Sequence, residues 1–540
     1  MHLTPASYLY RARAPRGPFR WVGGVAAALL LALPGGAHGQ ALADPLVPRG
    51  RVRLDFVPSV ASWDTRYGAT GDEEALGSDL TDPRGVSLFP GVATLEKTLR
   101  ALSGDAGFEA SLGSTTGRLS KEMTRLDIGL RIGVFDWLTV GANVPYVKGS
   151  SALDFAFRPD SLATLGLNPA FTGDGDVGDL LAGLGDAAVA ARARAETLCA
   201  GGGGSACQAA TALSDRANAF WSGLLGAYFG SPFFPVGSSA VAQKLQDALS
   251  ALDGELAAAG LARAPGSLAF ASGGLDETAF LDAVTTPSLG IGMSALRGYP
   301  GLWQLGDVEV NATLRLLEGE RRDSGAVAPR LSYGVYGGFL LRLGTGVLDD
   351  PDVPLDLESG DGQMDMEGRV DALLRVGSRV GFRGGFRYGT QRSVDILRRV
   401  APHEALLPLV SSYRAVTWTP GSYTLLELSP RVHLGESLAI TADYRRYHKG
   451  EDAYTLVSAG DGGTETLDAS VLARESEVTL QELAVGLRYS SLRLWRQGRV
   501  GTPAEMGVRL IRPLAGSGGR TPKATRVELS VSLFRRIWGS

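Results

Sequence analysis

Residues 126–146 read LDIGLRIGVFDWLTVGANVPY, and their alternation leaves few folds open. Large apolar side chains stand at Leu126, Ile128, Leu130, Ile132 and Val134, with Asp127, Gly129, Arg131 and Gly133 between them. After a tight turn at Phe135-Asp136-Trp137 the pattern resumes with Leu138, Val140, Ala142, Val144 and Tyr146. A period of two is the strand period, because successive side chains point to opposite faces. Each arm runs about ten residues, the length a tilted strand needs to cross a bilayer, against about five or six for an ordinary strand.

The unit recurs. An early strand spans 51–62, with Val52, Leu54 and Phe56 on one face. Alternation returns from Val308 to Leu316, Leu331 to Leu343, Met364 to Val376, Val380 to Tyr388, Leu426 to Leu434, Leu438 to Tyr444, Leu483 to Tyr489, Ala504 to Leu510 and Val527 to Leu533. The connections alternate in length. Short links fall at 135–137, 318–329, 377–379, 435–437 and 490–502; long ones fall at 149–304, 344–362, 390–421, 449–476 and 513–523. Bacterial barrels have short periplasmic turns and long external loops in this rhythm. With 63–120 as one further external loop, the count predicts an all-β fold: a transmembrane antiparallel β-barrel of about twelve strands with a helical extracellular insert.

The N-terminus has the layout of a secretory signal. Arg11, Arg13, Arg16 and Arg20 precede a short apolar run at 21–33, and Ala37-His38-Gly39 predicts cleavage before Gln40. The expected organisation is a signal peptide over 1–39, first barrel strands and an external loop over 40–148, the insert over 149–304 and the remaining strands over 305–540. No later apolar run reaches the roughly 18 residues of a membrane helix, so a membrane-spanning chain of this kind must close a barrel. Removing four arginines leaves 49 basic and 57 acidic residues, a net charge of −8 that argues against nucleic-acid binding. Cys199 and Cys207 are the two cysteines. In an oxidising compartment they close a small disulfide loop; free thiols are the alternative, and two cysteines without a neighbouring histidine make no zinc site.

A soluble sandwich also has a polar face, so that face alone does not decide against one; strand length, the signal peptide and the loop alternation together favour the barrel. The polar face carries Arg131, Asp307, Glu309, Arg315, Glu367, Arg369, Asp371, Arg375, Arg383, Arg387, Asp443 and Arg445, which become the candidate lumen lining. Mixed charges there pack a narrow interior by pairing; the functional reading is a selectivity lining. The absence of one dominant sign argues against a strong ion filter. Within 149–304 the stretches 179–199, 206–228 and 241–261 have helical spacing, the last with Val241, Leu245, Leu249, Leu252 and Leu256 on one stripe. Phe220, Trp221, Tyr228, Phe229, Phe233 and Phe234 form a candidate apolar lid for a hydrophobic solute, or else the interior of a plain cap. The loop 349–365 carries seven acids but lacks EF-hand spacing, so a solvated loop is expected rather than a cation site. His433 falls on an inward face with no serine at a persuasive spacing. No catalytic, cofactor or metal motif is present, and an enzyme is not expected.

Two resemblances add to this. Thr525–Trp538 alternates and ends on an aromatic residue, and resembles the C-terminal signal by which outer-membrane barrels are recognised for assembly; Gly539-Ser540 departs from it. LTVGANVPYV at 138–147, LGDVEVNATLRLL at 305–317 and SGDGQMDMEGRV at 359–370 resemble the outer-membrane family of the meta pathway of phenol degradation (MetA), often labelled transporters. That resemblance implies passive uptake of small, often hydrophobic or aromatic compounds, and carries over no functional residue. The expected partners are outer-membrane lipids, the barrel-assembly machinery and a small hydrophobic solute. Two alternatives stand beside the channel: a non-transporting structural or adhesion barrel whose insert binds a partner, and an outer-membrane hydrolase.

Overall fold

A computed structural model describes residues 45–538 apart from 174–175, 264–265, 322–329, 404 and 458–466. The signal peptide and its cleavage site lie outside the described residues. Twelve long strands form the wall: β1 (Arg51–Trp63), β2 (Ser114–Phe135), β3 (Leu138–Arg158), β4 (Val308–Arg321), β5 (Leu331–Leu343), β6 (Asp365–Val376), β7 (Val380–Gln391), β8 (Tyr423–His433), β9 (Leu438–Lys449), β10 (Val478–Ser490), β11 (Ala504–Ser517) and β12 (Thr525–Arg536). Each pairs antiparallel with its neighbour in sequence, and β12 pairs with β1, so the sheet closes without an edge. This is the expected twelve-stranded barrel. Closure pairs the wall strands on both sides, the condition for strands to cross lipid.

The hairpin at 126–146 is the β2–β3 pair, with Ile128 opposite Val144, Leu130 opposite Ala142 and Ile132 opposite Val140. Outward side chains such as Leu130, Val140, Phe339, Phe386, Val485 and Leu529 are exposed. They form an apolar belt without protein cover, which suits lipid. Phe135 and Trp137 stack at 5.2 Å at the turn and lie exposed, as aromatic residues do at a membrane interface. The loop rhythm also holds: links at 136–137, 322–330, 377–379, 434–437 and 491–503 share one end, and those at 64–113, 159–307, 344–364, 392–422, 450–477 and 518–524 share the other.

β2 and β3 stand taller than the rest. Paired from Ser114–Arg158 down to Phe135–Leu138, they overhang the wall on the long-loop end, and β3 runs past 148 before the insert begins. β3 meets β4 through only six register pairs, Leu138–Leu314 to Asn143–Glu309, the shortest seam in the wall. Above it the returning segment 299–307 takes the place of a strand: Leu305 faces Tyr146, Gly306 N–H donates to Pro145 O, and Ser151 N–H donates to Tyr299 O at 2.7 Å.

The cap is helical. Its helices are α1 (Pro90–Ser103), α2 (Val177–Cys199), α3 (Ser205–Phe229), α4 (Ala240–Ala258) and α5 (Glu277–Thr285). Side chains of Asp176, Ser239 and Asp276 cap the N-termini of α2, α4 and α5 by accepting backbone N–H groups. The whole Val241–Leu256 stripe is buried. The Cys199–Cys207 disulfide forms and ties the end of α2 to the start of α3. Phe280 of α5 is fully buried, with ring centroids 4.4 Å from Phe157 and 5.6 Å from Phe89. Because Phe155 and Phe157 belong to the overhang of β3, the cap core is built onto the wall rather than hung above it. Two loops expected to be plain carry structure: Val394–Arg399, Tyr413–Thr419 and Ala453–Leu456 form a small sheet around Ile396 and Val416.

Candidate solute path

The inward face of the barrel is a lattice of arginine and carboxylate. Inward positions lie between the outward apolar ones, so the alternation that suits lipid outside places charge inside. Burying a charge is tolerable only with a partner, and the register supplies one on a neighbouring strand. A relay crosses β7, β8, β9 and β10 and reaches over β11 to β12: Arg387 to Glu427 at 2.8 Å, Glu427 to Arg445 at 3.2 Å, Arg445 to Glu482 at 3.6 Å and Glu482 to Arg526 at 3.3 Å. Arg342 pairs with Glu309 at 3.2 Å and with Asp365. Arg383 pairs with Asp371 at 2.9 Å, and Arg509 with Asp443 at 3.5 Å and with Glu528. Arg131 lies 3.5 Å from Asp55, while Arg369 donates to Thr313 Oγ1.

Of the residues expected to line the lumen, Glu309, Glu367, Arg369, Asp371, Arg383, Arg387, Asp443 and Arg445 are buried in this lattice, and Arg131 borders it. Arg315 and Arg375 lie instead at the short-turn end, Arg315 paired with Glu318 and Arg375 exposed. Asp307 sits at the opposite rim, just before β4, where Gly346 N–H at 2.7 Å and Asp361 N–H at 3.0 Å donate to its carboxylate. Burial, and then the Asp361 carboxylate, push Asp307 up to about 6. Arg53, Asp55, Arg342, Asp365, Glu427, Glu482, Glu505 and Arg526 belong to the same lattice and were missed. The signal for them was present, since Arg53, Glu427 and Arg526 each stand at an alternate position in a strand read for its apolar members. Glycines make room for the long side chains: a methyl group at Gly338 would collide with the Arg369 guanidinium that lies across it.

Toward the cap end the inward face also carries apolar and aromatic residues. Leu340, Tyr423, Leu425 and Leu480 are buried there, and Tyr423 lies 5.8 Å from Tyr447. Tyr423 O–H donates to Glu367 Oε2 at 3.1 Å, joining this band to the charge lattice. At the short-turn end the segment before β1 tucks inward. Val47 N–H donates to Thr139 Oγ1 at 2.9 Å, and the Val47 side chain packs with Leu492, Phe534 and Trp495 as a small apolar plug.

The candidate lid is placed within the cap. Phe220, Tyr228, Phe233 and Phe234 are buried in its core, Trp221 is partly buried and Phe229 is exposed. Tyr228 stacks on Phe234 at 4.1 Å and donates its O–H to Ala269 O at 2.7 Å. Burial pushes the Tyr228 phenol well above its usual range. In the acidic loop, Asp349 pairs with Arg398 at 2.6 Å and Asp352 with Arg399 at 2.7 Å. Arg399 also donates to Ile291 O and Pro408 O, pinning three loops together. Among the described residues no group of three His, Cys, Asp or Glu side chains is placed to hold a metal ion. His433 ends β8, and its backbone N–H donates to Arg379 O.

No protein-family model matches the chain, and no curated protein matches it. Among solved structures it is similar to an outer-membrane channel of Pseudomonas putida F1, at 9% identity over 93% of this chain and all of that one, with a TM-score of 0.41. It is also similar to the Ralstonia pickettii toluene transporter TbuX, at 9% identity over 91% of this chain and 90% of that one, with a TM-score of 0.25. The translocator domain of the autotransporter NalP from Neisseria meningitidis scores alike, at 8% identity over 90% and 88% with a TM-score of 0.26. Scores this low, spread over transporters of such different cargo, say nothing about what this barrel carries.

Proposed function

We propose that the chain is an outer-membrane channel for passive passage of small hydrophobic or aromatic solutes, narrowed by the cap above, the charge lattice in the middle and the Val47 plug below. The observation that carries this reading is the hydrogen-bonding capacity left open along the lumen. Thr441 Oγ1, Glu505 Oε2, Glu528 Oε2 and the Arg369 Nε and Nη1 atoms are buried without a protein partner among the described residues. A dry interior answers nearly all such groups, so open ones on several strands leave hydrogen-bonding capacity for water or a polar group entering the lumen. The inward band of Leu340, Leu425 and Tyr423 gives an apolar solute something to touch beside that water. The likeness to the phenol-degradation family supports the same cargo class, and the C-terminal strand supports assembly into the outer membrane with the long loops outside.

The test is accumulation of a labelled neutral monoaromatic by porin-deficient cells, with the full chain and with 165–298 replaced by a short linker. Accumulation above the empty-vector rate, altered by the replacement, is expected. Equal rates in all three strains would remove the channel reading. They would leave the structural or adhesion barrel, which the extensive charge pairing of the lumen favours.

A further inference from the structure

Arg369 differs from the other buried arginines of the lumen. Arg53, Arg125, Arg342, Arg383, Arg387, Arg445, Arg488, Arg509 and Arg526 each have a carboxylate within 4.0 Å, whereas Arg369 has none among the described residues. It is 7% exposed, it donates to the neutral Thr313 hydroxyl, and its Nε and Nη1 find no acceptor. The acids beside it on β6 are engaged elsewhere. Glu367 accepts from Tyr423 and faces Arg387, and Asp371 is held by Arg383. Across the two neighbouring strands Arg369 faces Gly338 and another cation, Arg387. A guanidinium taken this far out of water costs several kcal/mol unless an anion answers it.

We infer that Arg369 is a docking group for the anionic head of a small aromatic monoanion, such as an aromatic carboxylate or sulfonate. The inference rests on the channel reading and narrows its cargo. The residue two places along β5 from Gly338 is Leu340, and Leu425 lies opposite Arg387, so an apolar wall stands directly beside the open guanidinium. Tyr423 continues that wall toward the cap. On docking, the ring parts these covered side chains and lies against them while its charged group takes the Nε–H and Nη1–H donors. A second anion of equal size finds no other arginine without a carboxylate partner at this level among the described residues, which makes the site a single-occupancy step rather than a general anion filter.

The experiment measures flux of benzenesulfonate and of phenyltrimethylammonium, two ionised aromatics of similar size, through liposomes holding the full chain. The wild-type protein is expected to pass benzenesulfonate faster. Arg369→Gln is expected to cut benzenesulfonate flux about tenfold and Arg369→Lys to restore part of it, since a charge-assisted hydrogen bond is of that order. Heat-modifiable migration on gels checks that each variant is folded. Equal flux of the two ions, or benzenesulfonate flux unchanged in a folded Arg369→Gln, overturns the inference. No flux of either ion while cells still accumulate the neutral aromatic overturns it and leaves the channel standing. No passage of any of the three removes both.

Discussion

Glu427 is the residue at which the charge lattice is most exposed to test. It is 5% exposed and lies between Arg387 at 2.8 Å and Arg445 at 3.2 Å. Replacing it with Gln keeps the volume and removes the charge, so two guanidinium groups lose the carboxylate they share. At about 4 Å and an effective dielectric of about 20, each attraction is about 4 kcal/mol. Against the loss of two stands the several kcal/mol regained by no longer burying the carboxylate, and breaking a buried pair typically leaves a net cost of about 3–5 kcal/mol. Glu427→Gln should therefore lower unfolding stability by that amount, read from the shift of the urea midpoint for protein refolded into lipid vesicles. The neighbours say how to relieve it. Adding Arg445→Met leaves Arg387 its contact with Glu367 at 3.6 Å and leaves Glu482 its contact with Arg526 at 3.3 Å. The double variant should be at least about 2 kcal/mol more stable than the sum of the two single changes implies. A Glu427→Gln loss below about 0.5 kcal/mol, or strict additivity, would mean that water rather than neighbouring charge holds these groups, and the argument from pairing would fail.

Three further outcomes are expected. Phe280→Ala empties the junction between cap and overhang and should cost about 3–5 kcal/mol, loosening the cap so that protease cleaves within 159–307 while the wall stays resistant. Reducing the Cys199–Cys207 disulfide, or replacing both with Ser, should destabilise the α2–α3 hairpin by about 2.5 kcal/mol, seen as faster amide exchange confined to those helices. Asp307 sits at about 6, above its ordinary value of 3.8, so between those pH values the folded chain holds a proton that the unfolded chain has released. Stability relative to Asp307→Asn should accordingly rise as pH falls from about 6 to 4 and stay level above about 7; the opposite slope in paired melts would refute the assignment.

The wall was legible because lipid outside and charge inside impose the same two-residue period, so each strand states its orientation twice. The three helical stretches of the insert were legible for the matching reason, a stripe with helical spacing. What escaped depends on register. Glu427 and Arg342 are ordinary polar members of their strands until pairing sets them against Arg387, Arg445 and Asp365. Arg315 and Arg375 obey the same alternation as Arg383, yet Arg375 stands at the end of β6 and Arg315 lies level with the Trp137 turn, where the lumen opens. The aromatic residues at 220–234 could be read as a lid or as a cap interior, because periodicity distinguishes a buried face from an exposed one but not what buries it. The contacts of Phe233 with Phe89, from a different stretch of chain, are invisible in either segment alone.

The short seam between β3 and β4 ties two parts of the molecule that would otherwise be free to vary separately. The insert supplies its last nine residues, 299–307, as a substitute edge along β3. It is therefore a section of the hull as well as a hatch. Shortening it anywhere before 299 trims the hatch; a cut that reaches Gly306 strips the hydrogen-bond cover from Pro145 and Tyr146 and opens the side of the barrel at its long-loop rim.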